Sequence, residues 1–227
     1  MAEFSESLDS LWAVQKHDRE IVRAQESIAK AERDIAAAQK KLDDAQTDLD
    51  ARRETARKLH SEHKELEAEL QRLDARVKQL EAQGTEAGME AATKQRAHID
   101  ELEMKGLDLI TAVATAEGEV EASEAALAGH QSAFEAVEKA AQEVVRTAEA
   151  AIEAQQNARA GAIEHVVPEL LQVYDEVNAR HPGKALCHID GEFCAGCQAE
   201  LRQQLIVQVK ARAEILRCPN CLRILDV

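Results

Sequence analysis

Aromatic residues are scarce in this sequence. One Trp, one Tyr and three Phe make up 2% of the 227 residues, although hydrophobic residues make up 45%. Large aromatic side chains supply much of the burial in a globular core, so this chain must build its interior from Leu, Ile, Val and Ala. Long packed helices, which bury narrow aliphatic stripes, fit this composition.

Long apolar runs and an excess of positive charge are also missing. No stretch reaches the roughly 18 consecutive apolar residues of a membrane span, and residues 1–6 lack the basic and apolar regions of a signal peptide. With 28 Lys and Arg against 43 Asp and Glu, the net charge is −15, which repels a phosphate backbone. We therefore expect a cytoplasmic protein without membrane insertion that does not bind duplex DNA as a whole chain.

A heptad pattern typical of a coiled coil runs from Val14 to Leu80, and seventeen of its twenty a and d positions are apolar. A second register runs from Ile99 through Val144 to Ala151, with thirteen of sixteen positions apolar. A globular amphipathic helix has a period of 3.6 residues and drifts off a strict heptad within a few heptads. Both segments are therefore predicted to be arms of a coiled coil.

Two glycines, Gly84 and Gly88, separate the registers and suit a helix end and chain reversal. Because the arms are about equally long, we predict an antiparallel helical hairpin with its tip at residues 84–88. The numbers of facing residues should then add up to about 172. This pairing brings the N-terminal segment against a short helix that begins at Pro168, and predicts a small core there formed by Phe4, Leu8, Leu11, Trp12, Leu170, Leu171, Tyr174 and Val177.

The helical period ends after residues 181–183, His-Pro-Gly. Residues 185–189 and 192–193 then predict two short strands around a tight turn at Asp190 and Gly191. The fold class that follows is mainly α, a long antiparallel coiled-coil hairpin with a small C-terminal β ribbon, for which the cysteines described next indicate zinc. The predicted domains are the hairpin at 1–167, a short helix and linker at 168–183, and the ribbon at 184–227.

Four cysteines carry the clearest chemical signal. Cys194 and Cys197 form one C-x2-C pair, and Cys218 and Cys221 form another after twenty residues. A two-residue gap lets both sulfurs of a pair reach one ion, and two pairs complete the tetrahedral thiolate set that Zn2+ prefers. The sequence therefore predicts one structural zinc, with no open position for a catalytic water.

Cys187 is the fifth cysteine. It could act as a further ligand or a redox-exchanging thiol, but free cysteines are commonly inert strand residues. We expect it to be dispensable for zinc binding.

The hairpin, the Pro168-Glu169-Leu170-Leu171 helix with Tyr174, and a ribbon ending Cys218-Pro219-Asn220-Cys221-Leu222-Arg223-Ile224-Leu225 resemble the bacterial C4-type zinc ribbon coiled-coil family. The resemblance implies a non-enzymatic protein. Some members bind the alternative sigma factor sigma-54, some are linked to flagellar or type III secretion systems, and RNA binding has been attributed to the ribbon end. Leu222 departs from the glycine that usually follows the fourth cysteine, and the knuckle must accept some backbone strain for it.

Two functions remain open from the sequence. The first is an adaptor or regulator that binds protein partners, with sigma-54 or a secretion or flagellar component implied by the resemblance. The second is RNA binding by the ribbon end, where residues 180–227 carry seven positive and five negative side chains. The candidate contacts for a nucleic acid or a partner are Arg202, Lys210, Arg212, Arg217 and Arg223.

An enzyme is not expected, since the sequence holds no phosphate-binding loop, no His-Glu-x-x-His motif and no nucleophile elbow. His60 and His63 could share a helical face with a metal, but His63 falls on a predicted a position, where a polar residue more often fixes register.

Overall fold

The computed structural model describes the backbone of residues 2–227 and the side chains from Ser5 onward. The elements in chain order are α1 (Ala2–Ala82), α2 (Glu86–Ile163), α3 (Pro168–Arg180), β1 (Leu186–Asp190), β2 (Phe193–Cys194), α4 (Gln203–Ala211) and β3 (Ile224–Asp226). The two long helices and the small strand region confirm the predicted fold class. None of the helices in the described residues combines the length and the apolar character that crossing a bilayer requires.

The chain divides into two compact units. We call residues 35–137 the central unit, and residues 1–34 together with 138–227 the terminal unit. Both long helices contribute to each unit. The predicted domain division at 167 and 184 follows the sequence pattern instead, and it stays a prediction.

In the central unit α1 and α2 run antiparallel. Asp48 accepts a hydrogen bond from Ser123 (3.0 Å), and the His60 imidazole lies 3.0 Å from the Glu117 carboxylate. Further along, Arg96 pairs with Glu81. Partner numbers fall along α2 as they rise along α1, and each pair adds up to within a few residues of the predicted value of about 172.

The first predicted register is confirmed by burial. Each of its twenty a and d positions from Val14 to Leu80 is buried or half-buried. Leu49 and Val77, for example, expose only 2% and 3% of their surface. His63, a polar a position, is half-buried as well.

The second register is wrong near its end. Val144 is 42% exposed and Ala151 is exposed, whereas Val145 and Ile152 are half-buried in their place. The buried positions take two successive four-residue steps, from Val137 through Ala141 to Val145. Such a stutter relaxes the 3.5-residue period toward the 3.6 of a straight helix, and it shifts the buried face by one residue.

The connection between the long helices spans residues 83–85, which is shorter than the predicted 84–88. Gly84 adopts a φ of +62°, which glycine reaches without strain. Gly88 lies inside α2, where a Cβ would be 2.9 Å from the Leu80 carbonyl oxygen. The second glycine therefore allows close approach of the two helices and does not form the turn.

The terminal unit contains the predicted core at the N-terminus. Leu8, Leu11, Leu170, Tyr174 and Val177 are buried in one cluster, with Trp12 and Leu171 packed against it. The predicted contribution of Phe4 lies outside the described side chains. The cluster also includes three residues from the C-terminal segment that the sequence analysis did not assign to it, namely Ala185, Leu186 and Ile224.

The strand region is a three-stranded sheet in the order β2-β1-β3. β1 and β2 pair antiparallel around the turn at Gly191, as predicted. β3 pairs in parallel with β1 through Leu186 and Ile224, which was not predicted. The helix α4 lies in the chain between the two cysteine pairs and was not predicted either.

Candidate metal centre

Two tight turns position the four predicted cysteines. The first follows β2, where the Cys194 carbonyl accepts hydrogen bonds from the N–H groups of Cys197 (3.3 Å) and Gln198 (2.8 Å). The second precedes β3, where the Cys218 carbonyl accepts from Leu222 N–H at 2.9 Å. These bonds curl each C-x2-C segment so that both of its side chains lie on one side.

The structure brings the four sulfurs together. The Sγ atoms of Cys194, Cys197, Cys218 and Cys221 all lie within 4.8 Å of one another. The Cys194–Cys221 and Cys197–Cys218 sulfur distances are 3.8 and 3.7 Å. A tetrahedral set with Zn–S bonds of about 2.3 Å requires sulfurs about 3.8 Å apart. The donor set therefore fits one tetrahedral zinc, which would hold the two turns together without an open coordination position.

Burial and hydrogen bonding shift the pKa values of the cysteine thiols in opposite directions. Burial raises the pKa of Cys194 and of Cys221 to about 12. The pKa of Cys197 is instead lowered to about 6, mainly by the backbone N–H of Ala199 and also by the Asn220 side-chain amide, which donates to the sulfur (3.6 Å). Because zinc binds thiolates, loading must displace protons from at least the two raised thiols.

Cys187 lies beside this cluster. Its sulfur is 3.5 Å from the Cys194 sulfur and 3.7 Å from the Ile224 carbonyl oxygen. Burial raises its pKa. It is not among the four mutually close sulfurs, and its dispensability for zinc binding remains a prediction.

Leu222, where the sequence departs from the family pattern, takes a left-handed φ of +63°. Gln198 occupies the equivalent place after the second cysteine, with a φ of +62°. A side chain with a Cβ pays roughly 1–2 kcal/mol for this conformation, whereas glycine does not. The predicted strain is therefore present in the backbone, and the turn accepts it.

The cysteine region is attached to α1 by buried polar bonds. The Gln15 side chain, which is fully buried, donates to the Leu186 carbonyl (3.0 Å) and accepts from the Leu186 N–H (2.6 Å). Trp12 Nε1 donates to the Asp226 carboxylate at 2.7 Å and its ring stacks on His188. In effect, Gln15 pairs with the backbone of β1 as a neighbouring strand would.

A second group of polar bonds lies beside this contact. Asp18 accepts hydrogen bonds from Arg159 (2.6 Å), Tyr174 (2.7 Å) and Asn178 (3.2 Å). Burial and the neighbouring Asp18 carboxylate raise the pKa of Tyr174. The His181 imidazole is 2.9 Å from the Cys221 carbonyl oxygen and so joins the end of α3 to the second cysteine turn.

The five basic residues predicted as partner contacts are placed differently from one another. Arg212 binds the buried Asp226 carboxylate with two nitrogens and also reaches Asp9 (2.7 Å). Arg217 pairs with Glu176, and Arg223 donates to the Gly196 carbonyl. Arg202 and Lys210 are exposed at the two ends of α4. Their role as partner contacts stays a prediction.

Gln15, Asp18 and Asp226 were not identified from the sequence. Gln15 falls on a b position of α1, which the heptad places on the outer face, and Asp18 falls on an e position, which flanks the seam and suggests a surface ion pair rather than a buried acceptor. Asp226 belongs to no motif in the sequence, so nothing distinguished it from the other acidic residues. The only indication of this region in the sequence was that Trp12 and Tyr174 both fall in the predicted N-terminal core.

Comparison with known proteins gives one family match, to the C4-type zinc ribbon domain, over residues 194–225. Together with the sulfur geometry, this match confirms the prediction of a zinc ribbon with one structural zinc. No curated protein matches the chain in sequence.

Solved structures share the fold across the whole chain. The protein CT398 from Chlamydia trachomatis superposes with a TM-score of 0.82 at 21% identity, covering 100% of this chain and 99% of that one. The HP0958 protein from Helicobacter pylori superposes with a TM-score of 0.64 at 17% identity, covering 97% of both chains. This chain is therefore a helical protein that carries a C4-type zinc ribbon domain and is similar in fold to these two bacterial proteins.

Proposed function

We propose that the chain is a non-enzymatic cytoplasmic adaptor that binds protein partners. The observation that carries this proposal is the anchoring of a closed tetrathiolate site onto the helices by buried polar bonds such as Gln15 to Leu186. A zinc with four protein ligands has no place for substrate or catalytic water, so its chemistry is to fix a surface. A reducing compartment suits the thiols that it requires.

Sigma-54, RNA polymerase, and flagellar or type III secretion components are the candidate partners, following the resemblance of the sequence to zinc ribbon coiled-coil proteins. RNA is the alternative ligand. Three of the five basic side chains that could contact it, Arg212, Arg217 and Arg223, already bind oxygen atoms of this chain. Their engagement favours a protein partner, because phosphate binding depends on available positive charge.

The proposal is tested with the immobilised, zinc-loaded full chain. Purified sigma-54, RNA polymerase and the secretion or flagellar components are passed over it separately, with and without nuclease treatment. We expect one of the proteins to be retained at submicromolar concentration regardless of nuclease. Retention of RNA alone, or of a protein only when RNA is present, would refute the adaptor function in favour of RNA binding.

A double variant distinguishes protein binding from RNA binding further. Arg202→Gln with Lys210→Gln removes the two exposed basic side chains of α4 and leaves the cysteines intact. A protein partner held elsewhere should bind this variant as well as the wild type does. RNA affinity should fall, because two phosphate-neutralising charges are gone.

A further inference from the structure

α2 carries a second set of large apolar side chains that its coiled-coil contact does not use. Met104, Leu107 and Ile110 are 64%, 67% and 51% exposed, and their spacing of three residues places them along one side of the helix. The positions that face α1 in this stretch are Leu102, Gly106 and Leu109, which are buried or half-buried. We call the three exposed residues the outer stripe.

A groove runs beside the outer stripe within the central unit. It has a volume of about 340 Å3 and is lined by side chains of both long helices, among them Leu66 and Leu70 of α1 and Leu107 and Ile110 of α2. Gly106 leaves its floor open, since a Cβ there would already touch Leu66 at 3.6 Å. An incoming side chain can therefore reach the apolar contact between α1 and α2.

The negative charge of the groove walls favours a positively charged ligand. Glu67 on α1 and Glu103 on α2 supply one carboxylate to each wall, and Asp100 lies one turn before Glu103. Among the described residues that line the groove there is neither a lysine nor an arginine, and its one histidine, His63, has its Nε2 3.9 Å from the Glu67 carboxylate. A ligand that covers the apolar floor must therefore present positive charge on its flanks.

We propose that this groove receives a basic amphipathic helix of a partner protein, with apolar residues at helical spacing on the outer stripe and Lys or Arg opposite Glu67 and Glu103. A third helix fits because the groove runs between two helices that expose side chains at every turn and no free backbone. A second copy of this chain is disfavoured as the occupant, because its net charge of −15 meets the same acidic walls. The inference rests on the adaptor function proposed above and assigns it a surface.

The test uses the full, zinc-loaded chain and a fluorescent 18-residue peptide of Leu and Lys with its leucines at helical spacing. A peptide of the same composition, permuted so that no apolar stripe forms, controls for charge alone. Leu107→Ser with Ile110→Ser removes the apolar contact. Val144→Ser with Val207→Ser, which also removes two exposed apolar side chains, is the matched control. Circular dichroism verifies that both variants keep their helix content.

Anisotropy titrations should show that the striped peptide binds wild type and the control variant equally. Its affinity for the Leu107/Ile110 variant should be at least about tenfold lower, since two buried aliphatic contacts are lost. Glu67→Gln with Glu103→Gln should weaken binding by a smaller factor that disappears at high salt.

Several results would overturn the groove assignment. They are equal affinity for the striped and permuted peptides, equal affinity of wild type and the Leu107/Ile110 variant, or the absence of binding to wild type. A wild-type dimer in sedimentation that becomes monomeric in the Leu107/Ile110 variant would instead show that a second copy covers the groove. Should a partner from the pull-down bind the Leu107/Ile110 variant as well as wild type, the adaptor function would stand and the groove assignment would fail.

Discussion

The central and terminal units bury different kinds of side chain. The central unit is filled by aliphatic residues such as Leu49, Ala56 and Val77, and its one buried polar residue, Ser123, makes a single side-chain bond. The terminal unit buries Gln15 and Asp226 with two or more hydrogen bonds each. Two helices need only a repeating apolar stripe to pair, whereas helices and a ribbon that meet in one place need directional bonds to select a single arrangement.

Loss of zinc should give the largest difference in stability between the terminal and central units. Cys218→Ser removes a fully buried ligand candidate, and zinc binding contributes ~10 kcal/mol or more to the folding of such modules. We expect loss of stoichiometric zinc and rapid proteolysis from about residue 185 onward, with most of the helical circular dichroism retained.

Cys187→Ser is the control for that experiment and should keep one zinc per chain. Equal zinc loss in both variants would make Cys187 a ligand. Collapse of the helical signal on zinc removal would mean that the long helices depend on zinc, and it would contradict the contrast between the units.

Asp18→Ala tests the polar bonds of the terminal unit directly. It leaves the buried Tyr174 hydroxyl without its acceptor, whereas Arg159 keeps its ion pair with Asp175 (2.8 Å), so the cost should be about 1–3 kcal/mol. Ser123→Ala removes the buried polar residue of the central unit and should cost about 1 kcal/mol or less. Hydrogen exchange in α1 and α2 measures both changes, and equal effects in the two variants would remove the contrast between the units.

Acid should affect the ribbon before the central unit. Because the pKa values of Cys194 and Cys221 are raised to about 12, zinc displaces at least two protons near neutral pH. Apparent zinc affinity should therefore fall by at least about 100-fold for each pH unit lost, and more steeply below about pH 6, where Cys197 also becomes protonated. Competition with a chromophoric chelator of known pH dependence checks this slope, and a pH-independent affinity would contradict it.

Leu222→Gly should give a small stabilising effect. Glycine relieves the left-handed φ at this position, and the half-exposed leucine side chain gives up little burial, so the zinc-loaded ribbon should gain ~1 kcal/mol. Leu222→Ala keeps the Cβ and should gain nothing. Thermal unfolding of the two variants in zinc distinguishes relief of backbone strain from removal of the side chain.

Local periodicity was sufficient for the central unit. The heptad that begins at Val14 in the terminal unit and runs through the central unit to Leu80 predicts which α1 residues face the partner helix, and burial agrees at every a and d position. The zinc ribbon could be predicted equally well, because each C-x2-C motif sets the geometry of two zinc ligands within four residues. The second register failed only at Val144 and Ala151, where a stutter in α2 moves the buried face by one residue.

Only the tertiary structure decided how the ribbon joins the helices. Gln15 lies on the side of α1 that a two-helix pattern assigns to solvent and Asp18 at the edge of the seam, yet both are buried and bonded to Leu186 and Tyr174. The parallel pairing of β3 with β1 connects residues almost forty positions apart. A helix that contacts one partner helix at every turn shows a periodic hydrophobic pattern in its sequence. A contact between distant segments is made only once, so it produces no such pattern.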